Sequence, residues 1–241
     1  MKKNSIPILM YHSIAKARRG TIMRSLHVTP KRFALQMRLL NFFGYQGLSM
    51  SDIKPYLKGE KTGKVVGITF DDGYKNNATD ALPILKKYGF SATCYIVSQN
   101  IDGINHWDIN KGIPENPTMN KQDIQSWIDA GMEIGSHTQN HVYLTKINKD
   151  KAINEIKNSK LDLQKNFSVN INHFCYPYGD YNNEIKSEIR NAGYHTATTV
   201  NRGKVHQNDD MYSLRRIPIT YYTLPHLFLL KIISKYEEKY R

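Results

Sequence analysis

The sequence predicts an α/β protein built on parallel strands, either a barrel or an open doubly wound sheet. Three observations point there. Short apolar runs alternate with helical patterns about seven times from end to end. No Gly/Ser/Pro-rich linker, internal repeat or low-complexity tract divides the 241 residues, so one large core is expected. The residues best suited to chemistry each follow an apolar run directly, and parallel α/β folds build their sites at strand ends.

Ile6–Met10 opens the pattern as a buried strand candidate. Thr29 caps a helix with Pro30 in its first turn and Gly44 at its end, and Phe33, Met37, Leu40 and Phe43 share one face. Asp52–Leu57 is a short helix and Val65–Phe70 a strong strand. Ala78–Tyr88 is helical and stops at Gly89, and Ala92–Val97 is a strand. Residues 98–120 lack a period and carry Gly103, Gly112, Pro114 and Pro117, which suggests a long loop at the rim of a site. Lys121–Ala130 is a helix, and Glu133–Ser136 a short strand. Asn148 opens a long helix with Ile153, Ile156, Leu161 and Leu163 toward the core. Ile171–Tyr176 is a strand and Asn183–Ala192 a helix. His195–Thr199 and Leu214–Ile219 are strands, and Leu224–Tyr240 is an amphipathic helix whose Leu227, Leu230 and Ile233 cap the core or meet a membrane or partner.

A net charge of +13 favours anionic partners. The excess is spread along the chain, with only short clusters such as Lys16-Ala17-Arg18-Arg19 and Arg215-Arg216. No zinc-knuckle spacing or RNA-recognition signature is present, so nucleic acid is not the expected partner. Cys94 and Cys175 lie in apolar strand candidates and read as buried free thiols. The apolar run after Met1-Lys2-Lys3-Asn4-Ser5 is too short for a secretory signal, and no stretch approaches a membrane span. The expectation is a cytoplasmic protein, working at the inner membrane face if its substrate is lipid-linked. A signal peptide upstream of this start would make it exported.

Three clusters carry the chemistry. Thr69-Phe70-Asp71-Asp72-Gly73 puts two adjacent carboxylates after a buried strand. Both stay ionised only beside a positive charge, such as a metal bound by one of them. The other is then free to act as a base. Taken alone, the pair is also compatible with a helix cap and a solvated turn. His137 and His141, at i and i+4, lie on one face of a helical turn, a spacing that suits two imidazoles on one ion. Phe174-Cys175-Tyr176-Pro177-Tyr178-Gly179 ends a strand in an aromatic, Pro-stiffened turn. Aromatics there can stack on sugar faces and backbone N–H groups can stabilise an oxyanion, although an ordinary structural turn reads the same way.

In order and separation these clusters resemble the polysaccharide deacetylases of carbohydrate esterase family four, whose pattern runs T-F-D-D, H-[S/T]-x-x-H and R-x-P-Y-G. The resemblance covers roughly residues 5–220 and implies a distorted (β/α)7 barrel. It also implies Asp71 as general base and a divalent metal, zinc first, on Asp72, His137 and His141. The Tyr178 backbone N–H would serve the oxyanion, with Tyr176 and Pro177 beside it at the substrate. Met10-Tyr11-His12 resembles the circularly permuted subfamily that includes poly-N-acetylglucosamine deacetylases, which implies His12 as the acid.

One departure stands out: the family's Arg, which pairs with the catalytic Asp, falls at Cys175. Its loss could raise the pKa of Asp71, or Arg215 or Arg216 could stand in. The implied activity is metal-dependent removal of N-acetyl groups from N-acetylhexosamine in a polysaccharide, an anionic glycan or a lipid-linked glycan. An acetyl-ester hydrolase and a non-catalytic glycan-binding module are the alternatives. Trp107, in the long loop, could stack on a sugar or simply pack.

Overall fold

The computed structural model describes residues 5–17 and 20–240. Arg18 and Arg19 of the basic cluster, and Met1–Asn4 of the N-terminal segment, lie outside the described residues. Among the described residues, eight strands form one all-parallel sheet: β1 (Ile8–Tyr11), β2 (Gln46–Leu48), β3 (Val65–Phe70), β4 (Thr93–Ile96), β5 (Glu133–Ser136), β6 (His173–Cys175), β7 (Thr196–Arg202) and β8 (Leu214–Pro218). β1 pairs with β8 on one edge and with β3 on the other, which closes a seven-stranded barrel. Residues Gly67–Phe70 of β3 meet β1, and its first half carries β2 on its other edge. The barrel is distorted: β5 and β6 share a single registered pair, Ser136 and Phe174, and β7 shifts register against β8 between Thr198 and Arg202.

Helices wrap the outside: α1 (Pro30–Phe42), α2 (Met50–Leu57), α3 (Leu82–Lys87), α4 (His106–Ile109), α5 (Lys121–Asp129), α6 (Lys149–Phe167), α7 (Asn183–Asn191) and α8 (Pro225–Ile233). Local chemistry sets their ends. Thr29 Oγ1 accepts from the Arg32 N–H, Asn148 caps α6 through the Lys151 N–H, and Asn120 and Asp123 form a reciprocal capping box on α5. Gly44, at φ 72°, releases the chain from α1 in the left-handed region.

Several sequence expectations change. α2 starts at Met50, because Ser49 rather than a later residue accepts from the Asp52 N–H. The helix expected from Ala78 begins with a π-helical turn over Asn77–Ala81 and continues as α3. On α6 the core face is Ala152, Ile156, Ser159, Leu163 and Phe167, while Leu161 is 60% exposed. Phe43 is exposed, beyond the end of α1. The C-terminal helix ends at Ile233, and a 3₁₀ segment, Lys235–Tyr240, follows. It packs through Phe228 and Ile232, leaving the anticipated capping residues Leu230 and Ile233 exposed. No helix among the described residues is long and apolar enough to cross a membrane.

Candidate active site

The chemistry-bearing residues gather at the C-terminal ends of the strands, where they line a cavity of about 470 Å³. Asp71 and Asp72 follow β3. Asp72 and Gly73 are consecutive left-handed residues, at φ 73° and 65°, so the chain reverses sharply there. His137 follows β5 directly. The two histidines do not share a helical turn: Thr138 (φ 65°) and His141 (φ 56°) break the helical path. A tight turn brings both rings to one carboxylate instead. His137 Nε2 is 3.4 Å and His141 Nε2 3.3 Å from Asp72 Oδ1. Left-handed backbone at Asp72, His141 and Tyr178 is a cost tolerated where function fixes the geometry.

α6 holds that turn. Glu155 accepts from the Gln139 and Asn140 backbone N–H groups at 2.9 Å each, and from the Asn140 side chain at 2.7 Å. Nothing in the sequence marked Glu155, because it reads as an ordinary polar residue on a helix.

The three donor atoms of Asp72, His137 and His141 lie within 4.8 Å of one another, all buried. Ligands about 2.1 Å from a tetrahedral ion sit about 3.4 Å apart, so the spacing fits a divalent cation. His137 Nδ1 lies 2.8 Å from the Cys175 carbonyl oxygen, to which it can donate, so that Nε2 would be the atom offered to a bound cation. Burial opposes the Asp72 charge, but hydrogen bonds from His137 and His141 hold its carboxyl well below the usual range. A second trio, Asp71, His137 and Cys175, is also close enough for a metal. Arg216 already occupies two of its members, so the Asp72 set is the better candidate to hold a cation.

Arg216 resolves the missing Arg. Its guanidinium enters the barrel from β8, fully buried, and donates to both Asp71 oxygens at 2.6 and 2.7 Å. It also donates to Thr69 Oγ1, to the Thr199 carbonyl and to Cys175 Sγ at 3.2 Å. Every arm of the fork is engaged. Burial would push the Asp71 carboxyl up; the Arg216 charge and hydrogen bonds more than offset this and hold it below the usual value. The small Cys175 side chain sits where the family pattern has its Arg, and the cation arrives from the neighbouring part of the barrel. Arg215, the other candidate, points elsewhere and donates to the Arg202 and Tyr240 carbonyls.

His12 follows β1, with Nε2 3.9 Å from Asp71 Oδ2, and lines the same cavity. Tyr178 lines it as well, its ring stacked on Tyr143 at 3.9 Å and edge-on to His141 at 4.6 Å. Tyr176 lines the cavity too, but its hydroxyl donates to the Tyr212 carbonyl. Pro177 is buried and does not line it. Trp107 stacks on His141 at 4.6 Å, so its ring packs on a candidate ligand. The long loop supplies Asp108, Lys111 and Ile113, and the segment after β1 supplies Ile22, Met23 and Leu26. Sequence reading anticipated the loop but not these residues, since their approach depends on how the loops fold over the barrel mouth.

Comparisons with known proteins agree with this fold. Residues 58–197 match the polysaccharide deacetylase family pattern. The protein YxkH of Bacillus subtilis, assigned by its name to the polysaccharide deacetylases, is 31% identical over 91% of this chain and 73% of its own length. The poly-beta-1,6-N-acetyl-D-glucosamine N-deacetylase of Staphylococcus epidermidis is 26% identical over 91% of this chain and 80% of that protein. The solved Streptococcus pyogenes deacetylase PplD, in complex with acetate, superposes with a TM-score of 0.83 at 28% identity, covering 96% of this chain and 99% of that one. With this barrel and these motifs, the chain belongs to the polysaccharide deacetylase family.

Proposed function

We propose that the protein hydrolyses N-acetyl groups from N-acetylhexosamine residues of a glycan, with a divalent metal, zinc first, on Asp72, His137 and His141. The observation that carries this reading is the joint arrangement of that donor trio, the Arg216-paired Asp71 and His12 around one cavity. The bound cation would supply Lewis acidity to the acetamide carbonyl and to the attacking water. Asp71, ionised against Arg216, accepts the proton of that water as its oxygen adds to the carbonyl carbon. The Tyr178 backbone N–H shares the charge that develops on the carbonyl oxygen. His12 donates a proton to the amine as the C–N bond breaks, because an unprotonated amine leaves poorly. Acetate and the free amino sugar are the products.

The glycan-binding-module alternative drew on the lack of an Arg at Cys175, and Arg216 removes that ground. The net charge of +13 supports an anionic or lipid-linked form of the glycan, and the exposed Leu230 and Ile233 support peripheral membrane contact, with work at the inner membrane face. Cell fractionation tests the location. The activity is tested with purified protein, stripped and reloaded with zinc, on N-acetylglucosamine oligomers, measuring free acetate. Metal-dependent release that disappears in Asp72→Asn, together with loss of zinc binding in that variant, is expected. Full activity in the metal-free protein would overturn the reading.

A further inference from the structure

Beside the cavity, two guanidinium groups converge on one aromatic ring. Arg24 lies over Tyr221 with Cζ 4.0 Å from the ring centroid, and Arg32 lies 5.4 Å from it. Both are held: Arg24 Nη2 donates to the Tyr221 hydroxyl at 2.8 Å, and Arg32 Nη1 donates to the Tyr221 carbonyl. The Tyr221 N–H in turn donates to the Ser25 carbonyl, at 3.2 Å, tying the segment after β8 to the segment after β1. That second segment also supplies Met23 and Leu26 to the cavity wall, so Arg24 is the chain neighbour of a cavity-lining residue.

No ion pair among the described residues includes either guanidinium. By contrast, Arg202 and Arg216 both fork onto carboxylates. Helix stability does not explain Arg32 either. The first turn of α1 carries Lys31 and Arg32 and no acid, against the preference of a helix N-terminus for negative charge. Two like charges on one ring repel, and among the described residues no carboxylate pairs with either.

We infer that Arg24 and Arg32, positioned by Tyr221, form a binding subsite for a phosphate or phosphodiester group carried by the substrate glycan next to the acetamide being cleaved. The inference rests on the deacetylase reading and names a substrate class for the same site. A tetrahedral anion of high charge suits two guanidinium forks better than one carboxylate does. The cations are held by an aromatic face and by hydrogen bonds that leave other N–H groups of each fork free to donate.

The test has two arms. In the first, inorganic phosphate is titrated into the zinc-loaded protein by calorimetry and into Arg24→Gln/Arg32→Gln, with Lys86→Gln/Lys87→Gln as a variant of equal net charge and acetate as a carboxylate probe. Affinity for phosphate should fall about tenfold or more for each guanidinium lost and hold in the control. In the second arm, acetate release is compared for an N-acetylglucosamine trimer and the same trimer bearing a 1-phosphate. The phosphorylated trimer should show a KM about tenfold lower, and the double Arg variant should erase the difference while retaining hydrolysis of the neutral trimer. Equal KM for both trimers, tighter binding of acetate than of phosphate, or loss of phosphate binding in the Lys control would each overturn the subsite. So would an Arg-dependent association with phosphatidylglycerol vesicles unaccompanied by any effect on the phosphorylated trimer, which would make the pair a lipid contact. Failure to hydrolyse either trimer, with phosphate binding intact, would count against the deacetylase reading alone.

Discussion

Arg216 and Asp71 form a fully buried, two-pronged ion pair across the barrel, at 2.6 and 2.7 Å, between strands far apart in sequence. Its removal should be felt in chemistry and in stability. Arg216→Met leaves a buried carboxylate without a cation, and burial alone pushes its pKa up. In the proposed reaction Asp71 works ionised, so activity is present above its pKa and lost below it. The acid limb of the pH profile of kcat/KM should therefore move to higher pH, with kcat/KM at neutral pH lower by about 10²–10⁴-fold. Folding stability should fall by about 3–5 kcal/mol at neutral pH. Arg216→Lys should shift the limb less. A limb that stays in place in Arg216→Met would refute this role.

The acid assignment is separable from the base. His12→Gln should lower kcat on an N-acetyl substrate by about 10²–10⁴-fold with KM nearly unchanged. An aryl acetate leaves without prior protonation, so on that substrate the same variant should lose far less. Equal losses on both substrates would remove His12 from the acid role.

Glu155 touches no candidate ligand, yet it holds the turn that carries two of them. Glu155→Ala should weaken zinc binding by about 10–100-fold, read by competition with a chelating dye, in a protein that keeps its circular dichroism. Glu155→Gln, which retains one acceptor, should fall between. Unchanged zinc affinity in the alanine variant would show that the turn holds itself.

At the opposite end of the barrel Glu133 joins four elements. It accepts from the Met50 and Ser51 backbone N–H groups at the start of α2, from Thr93 and Ser51 side chains, and lies 3.3 Å from His173 Nε2. Burial pushes its carboxyl up, but His173 and the hydroxyl donors outweigh it, so the folded-state pKa is depressed. Such a group stabilises the fold fully above its unfolded value of about 4.3, and that contribution fades as pH falls through the lower folded value. Glu133→Ala should cost about 1–3 kcal/mol in urea unfolding at neutral pH, narrowing toward the acid end. A gap that widens on acidification would contradict this account.

The parts of the fold that were legible share a local cause. Val65–Phe70 and Glu133–Ser136 match their expected bounds because a short apolar run flanked by turn residues fixes a buried strand. Thr29 and Asn148 act as caps because capping needs only the next three residues. Gln46–Leu48 was missed, since three residues with a central Gly carry no period, and only pairing with β3 makes them a strand. The phase of β8 was equally hidden: Arg215 and Arg216 are neighbours in sequence, and only the strand's orientation decides which one faces the barrel interior. His137 and His141 were found by type and spacing, but their left-handed turn was read as helix because spacing alone does not report φ.

β1 closes the barrel by inserting between β8 and β3. It carries His12 at its end, while its neighbour β8 carries Arg216. A growing chain thus holds Asp71, Asp72, His137 and His141 well before β8 exists to receive β1. Such long-range pairing is entropically slow to form. Catalytic competence should consequently emerge as the final event of refolding, after bulk helix formation. A nascent or clipped chain lacking β8 would be expected to retain Asp72, His137 and His141 without the Arg216-paired Asp71, so that the proposed catalysis waits on the joining of β1 to β8.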